Sequence, residues 1–239
     1  MPEEAGAPGD RAEAVPRHLR IDGFDAYVKA DGTDYWRILR TFLHGGVEAE
    51  NLKHNRGKRK VHAFDFGGRR YVLKRDLMRS LGLRHVFPGG GWTYHTRIMR
   101  KVNRAVDLGC RATPDIYLVA ERWKGRFRQE AFVLMEFVEG TILRDAGDAG
   151  NYRDAIREAM LEMHRFGLTL SDVNSRNFLV GPDGVKVIDI ACRFPDFLSI
   201  IRDGLKVKAR YNVELPVTGL MNRFFGFAIA VFYTLRGKT

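Results

Sequence analysis

An aspartate, four spacers and an asparagine, Asp172-Val173-Asn174-Ser175-Arg176-Asn177, lie between an apolar helical stretch and a short hairpin. The far strand of that hairpin closes on Val187-Ile188-Asp189. This order restricts the fold to a helix, an open loop and two short strands that carry three polar side chains. A carboxylate at the end of an apolar strand, here read as Val185 to Ile190, is costly to bury unless it is paired, so a cation is its natural partner. Magnesium takes oxygen ligands and commonly borrows only one or two from protein. Asn177 and Asp189 suit that role, and Asp172 is then the candidate catalytic base for an acceptor hydroxyl. Phosphoryl transfer from a nucleoside triphosphate needs this combination. Singly, Asp172 reads as a cap or turn residue and Asn177 as a turn stabiliser; the ordered set points to chemistry.

The rest of the chain predicts an α+β fold in which a small antiparallel sheet precedes a mainly helical part. Ile21 to Lys29 reads as a strand, and Tyr35 to Leu43 as an amphipathic helix stopped by Gly45-Gly46. Val47–Leu52 and Lys60–Phe66 pair around a turn at His54-Asn55-Arg56-Gly57, and Arg70 to Lys74 is the next strand. Pro88-Gly89-Gly90-Gly91 breaks the chain before a helix over Tyr94–Leu108, whose apolar face is Ile98, Met99, Val102, Ala105 and Val106. Ile116–Glu121 and Ala131–Phe137 are strand-like, with a basic turn at Lys124-Gly125-Arg126 between them. A helix over Tyr152–Phe166 turns Ile156, Ala159, Met160 and Met163 inward, the 178–190 hairpin follows the motif, and the chain from Ser199 is mostly helical.

Composition bounds the partners. With 45% hydrophobic residues in 239, the chain can bury a core. Residues 1 to 16, rich in Ala, Gly, Pro and acid, have the composition of a disordered tail and lack the marks of a secretory signal. Cys110 and Cys192 stand far apart, which predicts buried thiols in a reducing cytoplasm rather than a disulfide or zinc site. The net charge is +11, yet residues 53 to 104 alone hold fifteen Lys/Arg against Asp65 and Asp76, leaving the remainder slightly acidic. Such a local excess implies an anionic partner: nucleotide phosphates, nucleic acid or an acidic membrane face. No nucleic-acid-binding motif accompanies it, so no nucleic-acid partner is expected. Nor does the chain call for an obligate protein partner.

Lys74 closes the apolar strand Arg70-Tyr71-Val72-Leu73-Lys74, where a lysine could reach the α- and β-phosphates of a nucleotide. Phe224 to Leu235 is an uncharged apolar stretch between Arg223 and Arg236, too short for a bilayer span, which needs about 20 residues. It is expected to be a core helix, the alternative being an interfacial anchor. At about 1 kcal/mol per engaged basic residue, the basic block would give reversible attachment to an anionic membrane surface.

Four segments together resemble the bacterial lipopolysaccharide core heptose(II) kinases, small relatives of the protein-kinase fold. They are Tyr117-Leu118-Val119-Ala120-Glu121-Arg122, Met135-Glu136-Phe137-Val138-Glu139-Gly140, Met163-His164, and Asn177-Phe178-Leu179-Val180 with Val187-Ile188-Asp189. The resemblance covers about residues 24 to 210 and is strongest over 117 to 190. It implies a two-lobed protein-kinase-like fold: a tail to residue 16, an N-terminal nucleotide-covering lobe over 17–137 with the small antiparallel sheet, and a short, mainly helical catalytic lobe over 138–239. It further implies that the Glu136 carbonyl and Val138 amide hold adenine, and that the hairpin around 53–60 covers the phosphates. The implied reaction moves the ATP γ-phosphate, with Mg2+, to a heptose of the lipopolysaccharide inner core at the cytoplasmic face of the inner membrane.

The pattern also departs from the kinase frame. Gly57 is the only glycine of the phosphate-covering hairpin, and no carboxylate lies between Trp92 and Val106 to pair with Lys74. Ser171 and Ala191 stand where glycine is common, and Asn174 where small-molecule kinases often carry histidine. These departures leave a second expectation, a catalytically weak or inactive kinase-like binding module. Only 50 residues follow Asp189, without an Ala-Pro-Glu segment, which favours a sugar over a peptide as acceptor.

Overall fold

The computed structural model describes residues 16–55, 59–77, 93–125, 127–170, 172–191 and 196–216. Outside these lie residues 1–15 of the expected tail, the 56–58 tip of the hairpin, and the Pro88–Gly91 break. Arg126, Ser171, Cys192 and the 224–235 apolar stretch lie outside them as well.

The first half is one antiparallel sheet of seven strands in the order β1-β2-β6-β7-β5-β4-β3. Its strands are β1 (Arg17–Ile21), β2 (Phe24–Val28), β3 (Ala49–Asn55), β4 (Arg59–Phe66), β5 (Arg69–Leu77), β6 (Ile116–Lys124) and β7 (Phe127–Glu136). The strand expected over Ile21–Lys29 is the return arm of a hairpin. Asp22 and Gly23 both adopt positive φ, 52° and 77°, the geometry of a two-residue turn whose twist matches paired strands. Arg17 therefore pairs with Val28, and Ile21 with Phe24.

Strand alternation gives the sheet two different faces. Tyr71 and Leu73 of β5 pack with Phe132 and Leu134 of β7 against helix α1 (Tyr35–Leu43), which buries Tyr35, Trp36, Ile38 and Leu39. Asp34 starts α1 by accepting from the Arg37 amide at 3.0 Å. On the other face, Val72 and Val133 pack with Val119 and Met135 against helix α2 (Tyr94–Asp107), whose Ile98, Met99, Val102 and Ala105 are buried as their spacing predicts. Asn103, the polar member of that face, is also buried: its Nδ2 donates to the Ile116 carbonyl at 2.9 Å and its Oδ1 accepts from the Ile116 amide at 3.3 Å.

The second core is continuous with the α2 face. After β8 (Thr141–Ile142), helix α3 (Arg153–Arg165) buries Ile156, Ala159, Met160 and Met163, and each of the larger three contributes about 1.5–3 kcal/mol relative to exposure. Then come β9 (Thr169–Leu170), β10 (Phe178–Gly181), β11 (Gly184–Val187), β12 (Ile190–Ala191) and helix α4 (Asp196–Tyr211). The strand expected over Val185–Ile190 is broken at Ile188-Asp189. β11 ends on the β10 ladder, and Ile190-Ala191 cross to pair with Thr169-Leu170 of β9. Asp189 thus sits in the gap between two ladders rather than at the end of one.

The basic block is partly consumed inside the protein. Arg75 pairs with Glu130 at 2.5 Å, Arg70 with Glu50 at 2.6 Å, and Arg59 with Asp76 at 3.9 Å. Cys110 is buried, as expected of a small core residue. Among the described residues no helix is long and apolar enough to cross a membrane.

Candidate functional site

Lys74 stands in the middle of the sheet, paired across to Val61 of β4 and Val133 of β7. Its ammonium leaves the sheet on the α2 face and donates to the Ile188 carbonyl at 2.6 Å. The Ile188 amide in turn donates to the Asn177 carbonyl at 3.0 Å. Asn177, only 7% exposed, donates from Nδ2 to the Asp172 carbonyl at 2.7 Å. One hydrogen-bonded relay therefore joins Lys74, the residue before Asp189, Asn177 and the backbone of Asp172. Four positions singled out in the sequence, up to 115 apart in numbering, are linked through the backbone of Ile188 and the side chain of Asn177.

The Asp172 carboxylate is about half exposed and sits in a basic, hydrogen-bonded surround. Asn174 Nδ2 donates to Oδ2 at 2.9 Å, while Asn174 Oδ1 accepts from the Arg176 amide at 2.9 Å, so this side chain ties the loop to the carboxylate. Asn174 thereby does at Asp172 a positioning job for which histidine was expected. Lys206 Nζ lies 3.5 Å from Oδ1. The Asn174 hydrogen bond is the chief cause that holds the Asp172 carboxyl below the usual range; partial burial opposes it, and the charges of Lys206 and Arg210 assist. Arg176 itself is exposed.

Helix α4 braces this loop through residues the sequence reading did not single out. Asp203 is fully buried, and its Oδ2 accepts from the Leu170 amide at 2.7 Å. Burial pushes its carboxyl up, against the Leu170 hydrogen bond and the charge of Arg202. Arg202 donates to the Leu170 carbonyl at 3.2 Å, and Arg210 donates to the Val173 carbonyl. The available signal was the spacing of Asp203, Lys206 and Arg210, which places three charged side chains on one helical stripe.

Glu136 and Val138 lie farther along the same strands. Tyr71 pairs with Glu136, three positions beyond the Lys74–Val133 pair and so about 10 Å away along the ladder. Asp115 pins that end: its carbonyl accepts from the Glu136 amide at 3.0 Å, and its amide donates to the Glu136 carboxylate at 3.2 Å. Val138 follows the last ladder pair. The chain then crosses strand β10 at backbone contact. A Cβ on Gly140 would lie 2.6 Å from the Val180 carbonyl, and one on Gly181 would lie 2.5 Å from the Glu139 carbonyl.

The stretch of α2 before Val106 holds no carboxylate, and Asp107 at its end lies 3.5 Å from Lys29. His95 of α2 meets Glu121 of β6 at 3.0 Å instead, and Arg128 joins Glu121 and Asp76 at 3.3 Å each. Burial alone would raise the Glu121 carboxyl, but the His95 hydrogen bond and charge, with Arg128, bring it below the usual range. Among the described residues no group of three or more His, Cys, Asp or Glu side chains is gathered to hold a metal. The Asn177–Asp189 pair is a different donor set, one amide and one carboxylate. Because the Asn177 amide nitrogen is committed to Asp172, its oxygen is turned away from that bond. Two hard oxygen donors fit magnesium, with the remaining positions left to water and phosphate.

The family model described as "Lipopolysaccharide core biosynthesis protein (WaaY)" matches residues 16–225. A lipopolysaccharide core heptose(II) kinase WaaY of Escherichia coli is 27% identical over 177 residues, 72% of this chain and 76% of the relative. The protein of the same name from Escherichia coli strain K12 is 22% identical over 206 residues, 84% and 88% of the two chains. A solved structure titled "WaaP in complex with acyl carrier protein" aligns over 82% of each chain with 17% identity and a TM-score of 0.41.

Proposed function

The chain belongs to the lipopolysaccharide core biosynthesis protein (WaaY) family, and from that premise we propose that it is an ATP-dependent kinase of a heptose in the lipopolysaccharide inner core. The relatives named as heptose(II) kinases support the acceptor class. The observation that carries the chemistry is the relay from Lys74 through the Ile188 peptide and Asn177 to Asp172.

In this reading the seven-stranded sheet, residues 17–137, is the nucleotide-covering lobe of a protein-kinase-like pair, and 138–239 is the catalytic lobe. Glu136 and Val138 offer a backbone acceptor and donor to adenine. Lys74, about 10 Å along the ladder, meets the α- and β-phosphates. Asn177 and Asp189 would hold Mg2+, which when bound neutralises charge on the β- and γ-phosphates. Asp172 accepts the proton of the sugar hydroxyl as its oxygen bonds to the γ-phosphorus and the bond to the ADP oxygen breaks. The low carboxyl pKa keeps Asp172 ionised near neutral pH, and Lys206 beside it places a positive charge where the phosphoryl group crosses. The basic excess of the first lobe supports a reversible stay on the cytoplasmic face of the inner membrane.

The test is direct. Purified protein, magnesium-ATP and dephosphorylated core oligosaccharide are incubated, and the added phosphate is located by mass spectrometry. Asp172→Ala lowers the transfer rate by about 10²–10⁴-fold with the fold intact. Undiminished transfer by that variant removes Asp172 from the base role. Absence of phosphorylated product from the parent protein, with nucleotide still bound, supports the binding-module reading instead.

A further inference from the structure

Strand alternation sends consecutive side chains of β5 to opposite faces, so Arg75 leaves the sheet on the α1 side, away from Lys74 and its relay. There it borders a cavity of about 470 Å³ between α1, the β1–β2 turn and the ends of β5, β6 and β7. We propose that this cavity is a second binding site, distinct from the phosphoryl-transfer site, for a phosphorylated sugar.

Three features specify that ligand. Its floor is aromatic: Phe24, Trp36 and Phe132 are all buried and line it, a surface that suits the apolar face of a pyranose ring. Its charged lining is Arg40, Arg75 and Arg122 against Asp22 and Glu130. Glu130 is engaged by Arg75 at 2.5 Å, whereas among the described residues neither Arg40 nor Arg122 has a carboxylate at ion-pairing distance. The Arg122 guanidinium carbon lies over the Phe24 ring, 4.2 Å from its centre. Arg40 lies in the last turn of α1 and lines the same cavity. Two guanidinium groups from different elements suit the several oxygens of a phosphate monoester. The third feature is an orphan donor. The Trp36 indole N–H is buried with no hydrogen-bond partner among the described residues, on a residue that lines the cavity, so a ligand oxygen that displaced its cover would meet an unused donor. A bare phosphate would leave most of a cavity this size empty, so the sugar body belongs to the proposal.

The site requires nothing of the kinase reading, and its test is kept separate from turnover. The full chain is labelled with ¹⁵N in its three tryptophans, and the Trp36 indole resonance is assigned from a Trp36→Phe sample. Glucose 6-phosphate, inorganic phosphate and glucose are titrated in turn. Glucose 6-phosphate is expected to shift the Trp36 indole signal saturably, inorganic phosphate to bind at least about tenfold more weakly, and glucose not to bind. Combined Arg40→Ala and Arg122→Ala substitution at these two exposed positions weakens glucose 6-phosphate binding by about tenfold or more, while Lys74→Met leaves it unchanged. No shift with glucose 6-phosphate, or a shift equally strong with glucose, overturns the proposal. Equal affinity for inorganic phosphate overturns the sugar assignment. Loss of binding in Lys74→Met returns the phosphate to the nucleotide site and removes the second one.

Discussion

The Lys74 ammonium donates to the carbonyl of Ile188 at 2.6 Å, so a mid-strand lysine of the large sheet is bonded to the residue that precedes Asp189. The family frame would give this lysine a helix carboxylate; the one carboxylate of α2, Asp107, lies 3.5 Å from Lys29 instead. A backbone carbonyl thus holds the ammonium against the peptide that leads into Asp189.

Lys74→Met should therefore reduce phosphoryl transfer by about 10²–10³-fold, the cost of losing one positioned charge at the transferring group. It should also lower stability by about 1.5–3 kcal/mol, because a charge-assisted bond disappears. Urea midpoints read beside kcat/KM separate the two effects: the activity loss persists at temperatures where the variant is fully folded.

Asn174 and Lys206 both hold Asp172 ionised, with Asn174 the larger contributor. Its carboxyl is depressed, so the base form is present above that depressed pKa and is lost as the pH falls through it. Asn174→Ala and Lys206→Ala each move the acid limb of the pH–kcat/KM profile to higher pH, and Asn174→Ala moves it further. Lys206→Ala also lowers kcat more than it raises KM for ATP, since its charge serves the group in transit. An acid limb that stays in place in both variants places the base elsewhere.

Asn103 satisfies both backbone groups of Ile116 at the start of β6. Asn103→Ala strands the Ile116 carbonyl, while the Ile116 amide keeps the Asp115 carboxylate at 2.9 Å, and chemical denaturation should show a loss of about 1–3 kcal/mol. The folded fraction keeps its kcat/KM, because no part of the relay passes through this residue.

His164 has its Nε2 buried without a partner, and burial lowers its pKa from 6.5 to about 4. The folded protein then binds fewer protons than the unfolded chain between these values. Stability present above pH 6.5 is lost as the pH falls toward about 4, by about 3 kcal/mol over the window. Urea midpoints measured across this range test it, and His164→Gln should flatten that part of the curve.

Much of this was legible from local pattern. Helix α1 spans Tyr35–Leu43 as its spacing predicts, and α3 buries the four residues its periodicity turns inward. The motif residues Asp172 and Asn177 meet as their order suggests, because both lie in one short loop. What escaped was set by partners distant in sequence. The break at Ile188-Asp189 depends on β9 and on Lys74, which no window around residue 188 contains. Asn103 looks like an intrusion on an apolar face until β6 supplies its two bonds. The β1–β2 turn was visible as Asp22-Gly23, but a loose alternation across it read as one strand.

Helix α4 holds the Asp172 loop at three points, Arg202 and Asp203 on Leu170, Lys206 on Asp172 and Arg210 on Val173. All four residues are made later in synthesis than the loop they hold. A nascent chain that has emerged through Asp189 already has Lys74, Asp172, Asn177 and Asp189, yet it lacks Lys206 and the helix that braces the loop. The centre matures only when α4 folds back onto it, so a ribosome-bound or truncated chain ending before residue 196 would carry the full motif without its working shape.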